Sequence, residues 1–180
     1  MEKNKIKSIT PEEVTIKDVE IIKRNLFADD RGFLIETYSA SKEKQPSVYA
    51  YSSLVQPNCA KDVDKYHHHQ KQSDRFTVVL GKMLVLLFDL RKDSPTFNKM
   101  EVVLLEGGSG EYKEKITIPN FTIIIPPGVY HGIKNPTDLP SILVNHPTCE
   151  YNPEDEGRTL FSEIPVPLLE NGIFSWDLIE

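Results

Sequence analysis

Along almost the whole chain, short runs of β-branched and aromatic residues are closed off by proline, glycine, asparagine or aspartate. Such runs read as strands joined by turns, because branched and aromatic side chains fit a pleated, half-buried surface and the punctuating residues interrupt it. Helix signals are few. The pattern predicts strands over Thr15–Lys23, Phe33–Tyr38, Val48–Leu54, Arg75–Leu80, Lys82–Leu90, Met100–Leu105, Glu111–Ile118, Thr122–Ile125 and Ser141–Asn145, with a weaker one over Asp64–His69. So many short strands in 180 residues point to a single all-β domain, 1–180, built as a sandwich or barrel. Gly81, between FTVVL and KMLVLLFDL, reads as a hairpin turn, and Gly107–Gly110 as a second flexible turn. Ile164–Pro167 and the late apolar residues Ile173, Phe174 and Trp176 suggest a tail that packs back on the barrel. Residues 1–13 are expected to be mobile, as chain ends usually are.

Composition excludes some tasks. A net charge of −6 argues against nucleic acid as the partner, because phosphate-backbone binding needs accumulated Lys and Arg. No apolar run approaches bilayer-spanning length, and MEKNKIKSITPEEV lacks the apolar core of a signal peptide, so no membrane role and a cytoplasmic location are expected. Cys59 and Cys149 form no CxxC pair and are expected to be buried or idle thiols.

Chemistry concentrates at His67, His68 and His69, with Asp74 close behind and the run PPGVYH bringing His131 from downstream. On an extended strand alternate side chains share a face, so His67 and His69 converge while His68 points away. Two imidazoles and a carboxylate suit a divalent metal such as Zn, Fe, Ni or Mn, and a ligand from a distant segment would close the site. Pro126-Pro127-Gly128 forces a sharp turn that aims His131 at a defined place, whereas His146 has no such company.

These segments resemble the two motifs of the cupin superfamily. His67 to Gly81 is similar to the first, with aspartate at Asp74 where glutamate is usual, and Pro126 to Asn135 to the second. The resemblance implies a double-stranded β-helix, or jelly roll, with terminal extensions. It also implies one divalent metal ion held by His67, His69, Asp74 and His131, with Tyr66, His68 and Tyr130 as neighbours, Tyr130 on the substrate side.

From Val14 onward the chain also resembles the dTDP-4-dehydrorhamnose 3,5-epimerase family, through DDRGFLIETY, FDLRKDSPTF, PPGVYHG, YNPEDEG and Trp176. What this implies is an isomerase on a nucleotide-linked 4-keto-deoxysugar, in deoxysugar or surface-polysaccharide biosynthesis, working as a homodimer whose early strands exchange. Arg31, Phe33 and Glu36 would hold the sugar nucleotide, His67 would be the proton-abstracting base and Glu163 the acid that orients it. The chain departs from the family at several positions. The expected arginine before the histidine is Asp64, with Lys65 its basic neighbour, the supporting lysine is Asp74, and the catalytic tyrosine falls on Val144 or Asn145. A metal acting as a Lewis acid would replace the missing lysine and tyrosine. Other metal-dependent cupin chemistry, such as a dioxygenase or sugar isomerase, and sugar-nucleotide binding without turnover are the alternatives.

Overall fold

The computed structural model describes residues 5–180. Eleven strands are assigned among them: β1 (Glu20–Asp29), β2 (Gly32–Ile35), β3 (Tyr51–Val55), β4 (Lys65–His69), β5 (Asp74–Leu80), β6 (Lys82–Asp89), β7 (Met100–Glu106), β8 (Ile116–Ile125), β9 (Val129–Lys134), β10 (Ser141–Asn145) and β11 (Glu156–Leu160). They form two antiparallel sheets, one ordered β2-β1-β8-β5-β10-β3 and the other β11-β4-β9-β6-β7. The jelly roll expected from the cupin resemblance is therefore the architecture.

Between the sheets lies a core that includes Val78, Val85, Leu87, Val103, Ile123 and Ile125. Each such side chain, fully buried, contributes about 1.5–3 kcal/mol. On the far side of the five-stranded sheet a second cluster forms, where Phe161, Val166, Leu169, Phe174 and Trp176 close over Tyr66, Leu86 and Phe88. The C-terminal tail thus packs back as expected, and Trp176 Nε1 donates to Asp62 O at 3.2 Å.

Several boundaries differ from the pattern-based expectation. The first strand begins at Glu20 and runs to Asp29 because Asp18 takes a left-handed φ of 66°, which stops an extended run through it. Residues 111–115 stay outside the sheets, while Ile116–Ile125 is one strand that carries Pro119 within it. Pro119 is tolerated because β5 pairs only with Thr122 to Ile125, and beyond that point the Asn120 side chain donates through Nδ2 to the Val78 and Glu106 carbonyls instead. Two strands, β9 and β11, were not legible as strands at all.

The N-terminal segment expected to be mobile is docked over its described part. Ile9 N donates to Val102 O and Leu104 N to Ile9 O, and Pro11–Glu13 forms a 3-10 turn. Residues 1–4 of that segment lie outside the described residues. Both cysteines are free, Cys59 exposed and Cys149 partly buried. No helix among the described residues is long and apolar enough to cross a membrane.

Candidate active site

The histidine triplet lies on β4, and alternation there separates its members as the sequence implies. His67 and His69 face the interior, while His68 points outward and stacks on Tyr130 at 4.1 Å between ring centroids. His131 stands directly opposite His67 on β9. Its position follows from the tight turn after β8, where Gly128 holds φ at 79° and its N–H donates to the His69 carbonyl. The turn between β4 and β5 is pinned from elsewhere: the Lys71 and Gln72 amides donate to the two carboxylate oxygens of Asp155, at 2.8 and 3.1 Å. That grip delivers Asp74 to the same interior point.

The four residues expected to act together are thereby brought together. Each of His67, His69 and Asp74 offers a ligand atom within 4.8 Å of the others. His67 Nε2 and His69 Nε2 are 2.9 Å apart, and Asp74 Oδ2 lies 3.5 Å from His69 Nε2 and 3.1 Å from His131 Nε2. In all three histidines Nε2 points into the cluster and Nδ1 points out toward an oxygen. His131 Nδ1 donates to Val129 O at 3.0 Å, His69 Nδ1 is 3.5 Å from an Asp155 oxygen without a hydrogen bond, and His67 Nδ1 is 3.8 Å from Glu156. Outward-facing oxygen partners of this kind orient imidazoles that ligate metals.

Charge balance makes the same point. With Nδ1–H given to Val129, the His131 Nε2 lone pair meets a carboxylate, and two acceptors attract each other only through a second proton or a cation. Asp74 also accepts from the Gln72 and Asn145 amides at 2.8 Å each. Burial opposes its charge, but the His131 hydrogen bond and the charges of His131 and His69 prevail, leaving Asp74 below the ordinary carboxylate range. Burial, reinforced by His131 and His69, pushes His67 well below the usual histidine value, so its imidazole is neutral at neutral pH. The donor set fits a divalent cation bound through three Nε2 atoms and a carboxylate.

A cleft of about 230 Å³ opens onto this cluster. One wall, from the five-stranded sheet and the loop before it, carries His67, His131, Lys61 and Arg158. The opposite wall, from the six-stranded sheet, carries Tyr51, Ser53, Phe76 and Leu143. Arg158 arrives because β11 pairs with β4 in a register that sets it across from His67.

Other expected site residues lie elsewhere. Tyr130 neighbours the inward His131, so alternation turns it outward onto His68 and Tyr66. Tyr66 likewise points into the outer aromatic cluster, 4.6 Å from Phe161. Lys65 sits at the start of β4, opposite Leu160, and does not line the cleft. Glu163 is exposed, and its carboxylate accepts from the Leu160 amide at 3.2 Å, closing a 3-10 turn instead of orienting His67; Glu156 is the carboxylate beside that ring. Arg31, Phe33 and Glu36 are on or just after the β1–β2 hairpin, outside the chain's own cleft. Arg31 is held by Asp29, Phe33 packs on Tyr112, and Glu36 pairs with Lys42.

Sequence reasoning missed Tyr51, Lys61, Asp155, Glu156 and Arg158. Only the YNPEDEG segment carries a signal for any of them, since it holds Asp155 and Glu156, the two acids that face the histidines.

Comparison with known proteins bears on this site. The family model described as dTDP-4-dehydrorhamnose 3,5-epimerase matches residues 13–166. The probable low-salt glycan biosynthesis epimerase Agl13 of Haloferax volcanii is 32% identical over 144 residues, covering 78% of this chain and 83% of that protein. The spore coat polysaccharide biosynthesis protein SpsL of Bacillus subtilis is 30% identical over 146 residues, covering 79% and 88%. Among solved structures, a dTDP sugar isomerase from Desulfovibrio desulfuricans G20 superposes with a TM-score of 0.70 at 19% identity, over 94% of each chain.

Proposed function

Since the chain belongs to the dTDP-4-dehydrorhamnose 3,5-epimerase family, we propose that it epimerises a nucleotide-linked 4-keto-deoxysugar with His67 as the base. The observation that carries this is a neutral, inward-facing imidazole on the wall of a cleft the size of a sugar ring. Its volume is below the roughly 300 Å³ at which drug-sized ligands begin to fit, so the nucleotide would extend outside. Lys61 and Arg158 at the same cleft supply positive charge for the diphosphate, which Asp64 cannot. His67 accepts the proton α to the ketone, and the electron pair of that C–H bond passes into an enolate.

The finer reading is metal-assisted. His67, His69, Asp74 and His131 would hold one divalent ion, whose contribution would be Lewis-acid polarisation of the ketone. His67 cannot be ligand and base at one moment, so occupancy decides which role it takes. Family membership also supports a homodimer, cytoplasmic work and a place in deoxysugar or polysaccharide biosynthesis.

The test is deuterium entry from heavy water into C3 or C5 of a nucleotide-linked 4-keto-6-deoxysugar, with elemental analysis of the same preparation. Wash-in by the native protein, lost in His67→Ala, is the expected result. Tight binding with no wash-in would leave a binding protein in place of an enzyme. Metal content below about a tenth of an equivalent, with no gain on incubation, would remove the metal and leave the histidine base.

A further inference from the structure

Inversion at a carbon needs two proton sites, one on each face of the planar enolate. His67 and His131 occupy one wall of the cleft, and the other wall must then present a group with a proton to give. Of the residues lining that wall, Phe76 and Leu143 have none, and Asp74 behind them is an ionised acceptor. The Ser53 hydroxyl is too weak an acid. Tyr51 remains.

Its setting is built for more than packing. Tyr51 lies directly across from Asn145 in the β3–β10 pairing, so both side chains face the interior. The Tyr51 hydroxyl accepts from Asn145 Nδ2 at 2.9 Å, which occupies a lone pair and leaves the O–H proton free. Asn145 itself is locked. Its Oδ1 accepts from the Arg75 amide at 2.8 Å, and the second Nδ2 proton goes to Asp74 Oδ1 at 2.8 Å, so the amide has one orientation. Meanwhile Tyr51 as a residue is 43% exposed and lines the cleft. A phenol with its polar tip turned inward and held there, on a ring open to the cleft, is positioned to act on a bound molecule.

We propose that Tyr51 is the catalytic acid that completes inversion, delivering its phenolic proton to the face of the enolate opposite His67, an assignment that rests on the epimerase reading above. His67 takes the proton from the α-carbon, and the C–H pair forms the enolate double bond as the carbonyl pair moves to oxygen. The reverse shift then restores the ketone. The double-bond pair takes the Tyr51 proton, forming the new C–H bond and leaving phenolate. Asn145 Nδ2 stabilises that phenolate, and solvent returns a proton to Tyr51 and removes one from His67. Burial first, and then the Asp74 charge, push the Tyr51 hydroxyl up to about 12, so it is fully protonated and ready to donate at neutral pH. Asn145 is also one of the two positions where the resemblance expects a tyrosine, so the phenol reaches this site from the neighbouring strand instead.

The deciding experiment compares native protein and Tyr51→Phe in heavy water, following both inverted product and deuterium in recovered, uninverted sugar. A missing general acid lowers inversion by about 10²- to 10⁴-fold. In Tyr51→Phe, inversion should fall by that much while same-face exchange through His67 persists within a few-fold of the native rate. Inversion at the native rate in Tyr51→Phe would overturn the assignment, and so would loss of exchange in step with inversion. If native protein shows neither exchange nor inversion, the epimerase reading itself fails, and this inference with it.

Discussion

His146 sits where two buried guanidiniums meet. Arg75 Nη1 donates to the His146 carbonyl at 2.9 Å, the His146 Nε2 is 2.9 Å from Thr37 Oγ1, and the ring stacks on Tyr38. Burial, and then the charges of Arg75 and Arg24, hold the imidazole below its ordinary value, with Glu43 acting the other way. The unfolded chain takes up this proton near pH 6.5 and the folded chain only at lower pH, so the unfolded state binds more protons and stability falls as pH drops below about 6.5. His67, His68 and His69 are shifted the same way, each first by burial. Urea midpoints should therefore decline from about pH 7 to about pH 5, and His146→Gln should make that decline shallower by part of one proton's contribution. An unchanged slope in the variant would remove His146 from the account. At this scale the sequence made some residues legible and hid others. Strand alternation alone separates His67 and His69 from His68. Asn145 and Tyr51 are silent in one dimension, because neither residue type signals chemistry until cross-strand register sets them together. Glu163 stands where the resemblance implies an orienting acid, yet its carboxylate is engaged by a backbone amide three residues back.

Among the elements, those with a continuous apolar run were readable. Strands β5, β6, β7 and β10 fall within a residue or so of their expected ends because each carries three or more consecutive apolar residues, Val78–Leu80, Met83–Phe88, Val102–Leu105 and Ile142–Val144. Strand β9 was hidden because VYHGIK mixes a histidine, a glycine and a lysine into six residues, and β11 because EGRTL is polar over most of its length. The β11–β4 register has a steric lock that sequence cannot reveal. Gly157 stands opposite His68, and a Cβ there would lie 2.3 Å from the imidazole, which is itself stacked on Tyr130 and has little room to swing. Gly157→Ala should therefore cost about 1–3 kcal/mol, the usual range for overpacking. His68→Ala in the same chain should recover most of that loss, since the two changes share one contact. Denaturant titrations of both single variants and the double measure the coupling. A fully stable Gly157→Ala protein would show that the strand relaxes freely.

At the scale of the whole molecule, the jelly roll follows from many short strands, but its pairing order does not, since β1 joins β8 and β4 joins β11 across long stretches of chain. The unfinished part of the molecule is the β1–β2 hairpin. Phe27 on β1 and Leu34 on β2 are directly paired across it and stand 50% and 62% exposed, and among the described residues the outer backbone of β2, a four-residue edge strand, has no partner in the sheet. An apolar pair on an open edge is a ready surface for another strand. The same hairpin carries Arg31 and Phe33, which do not reach their own cleft, as they would not if their task lay in a neighbouring copy. The homodimer inferred above therefore makes a linked prediction. Native protein should sediment at twice the 20.5 kDa chain mass, and Leu34→Glu, which sets a charge into the apolar pair, should sediment as a single chain. Arg31→Ala should remain a dimer and raise KM for the nucleotide sugar with a smaller effect on kcat, because it removes binding and leaves His67 untouched. Native protein that sediments as a single chain at micromolar concentration would refute the exchange, and Arg31 would then be a turn residue held by Asp29.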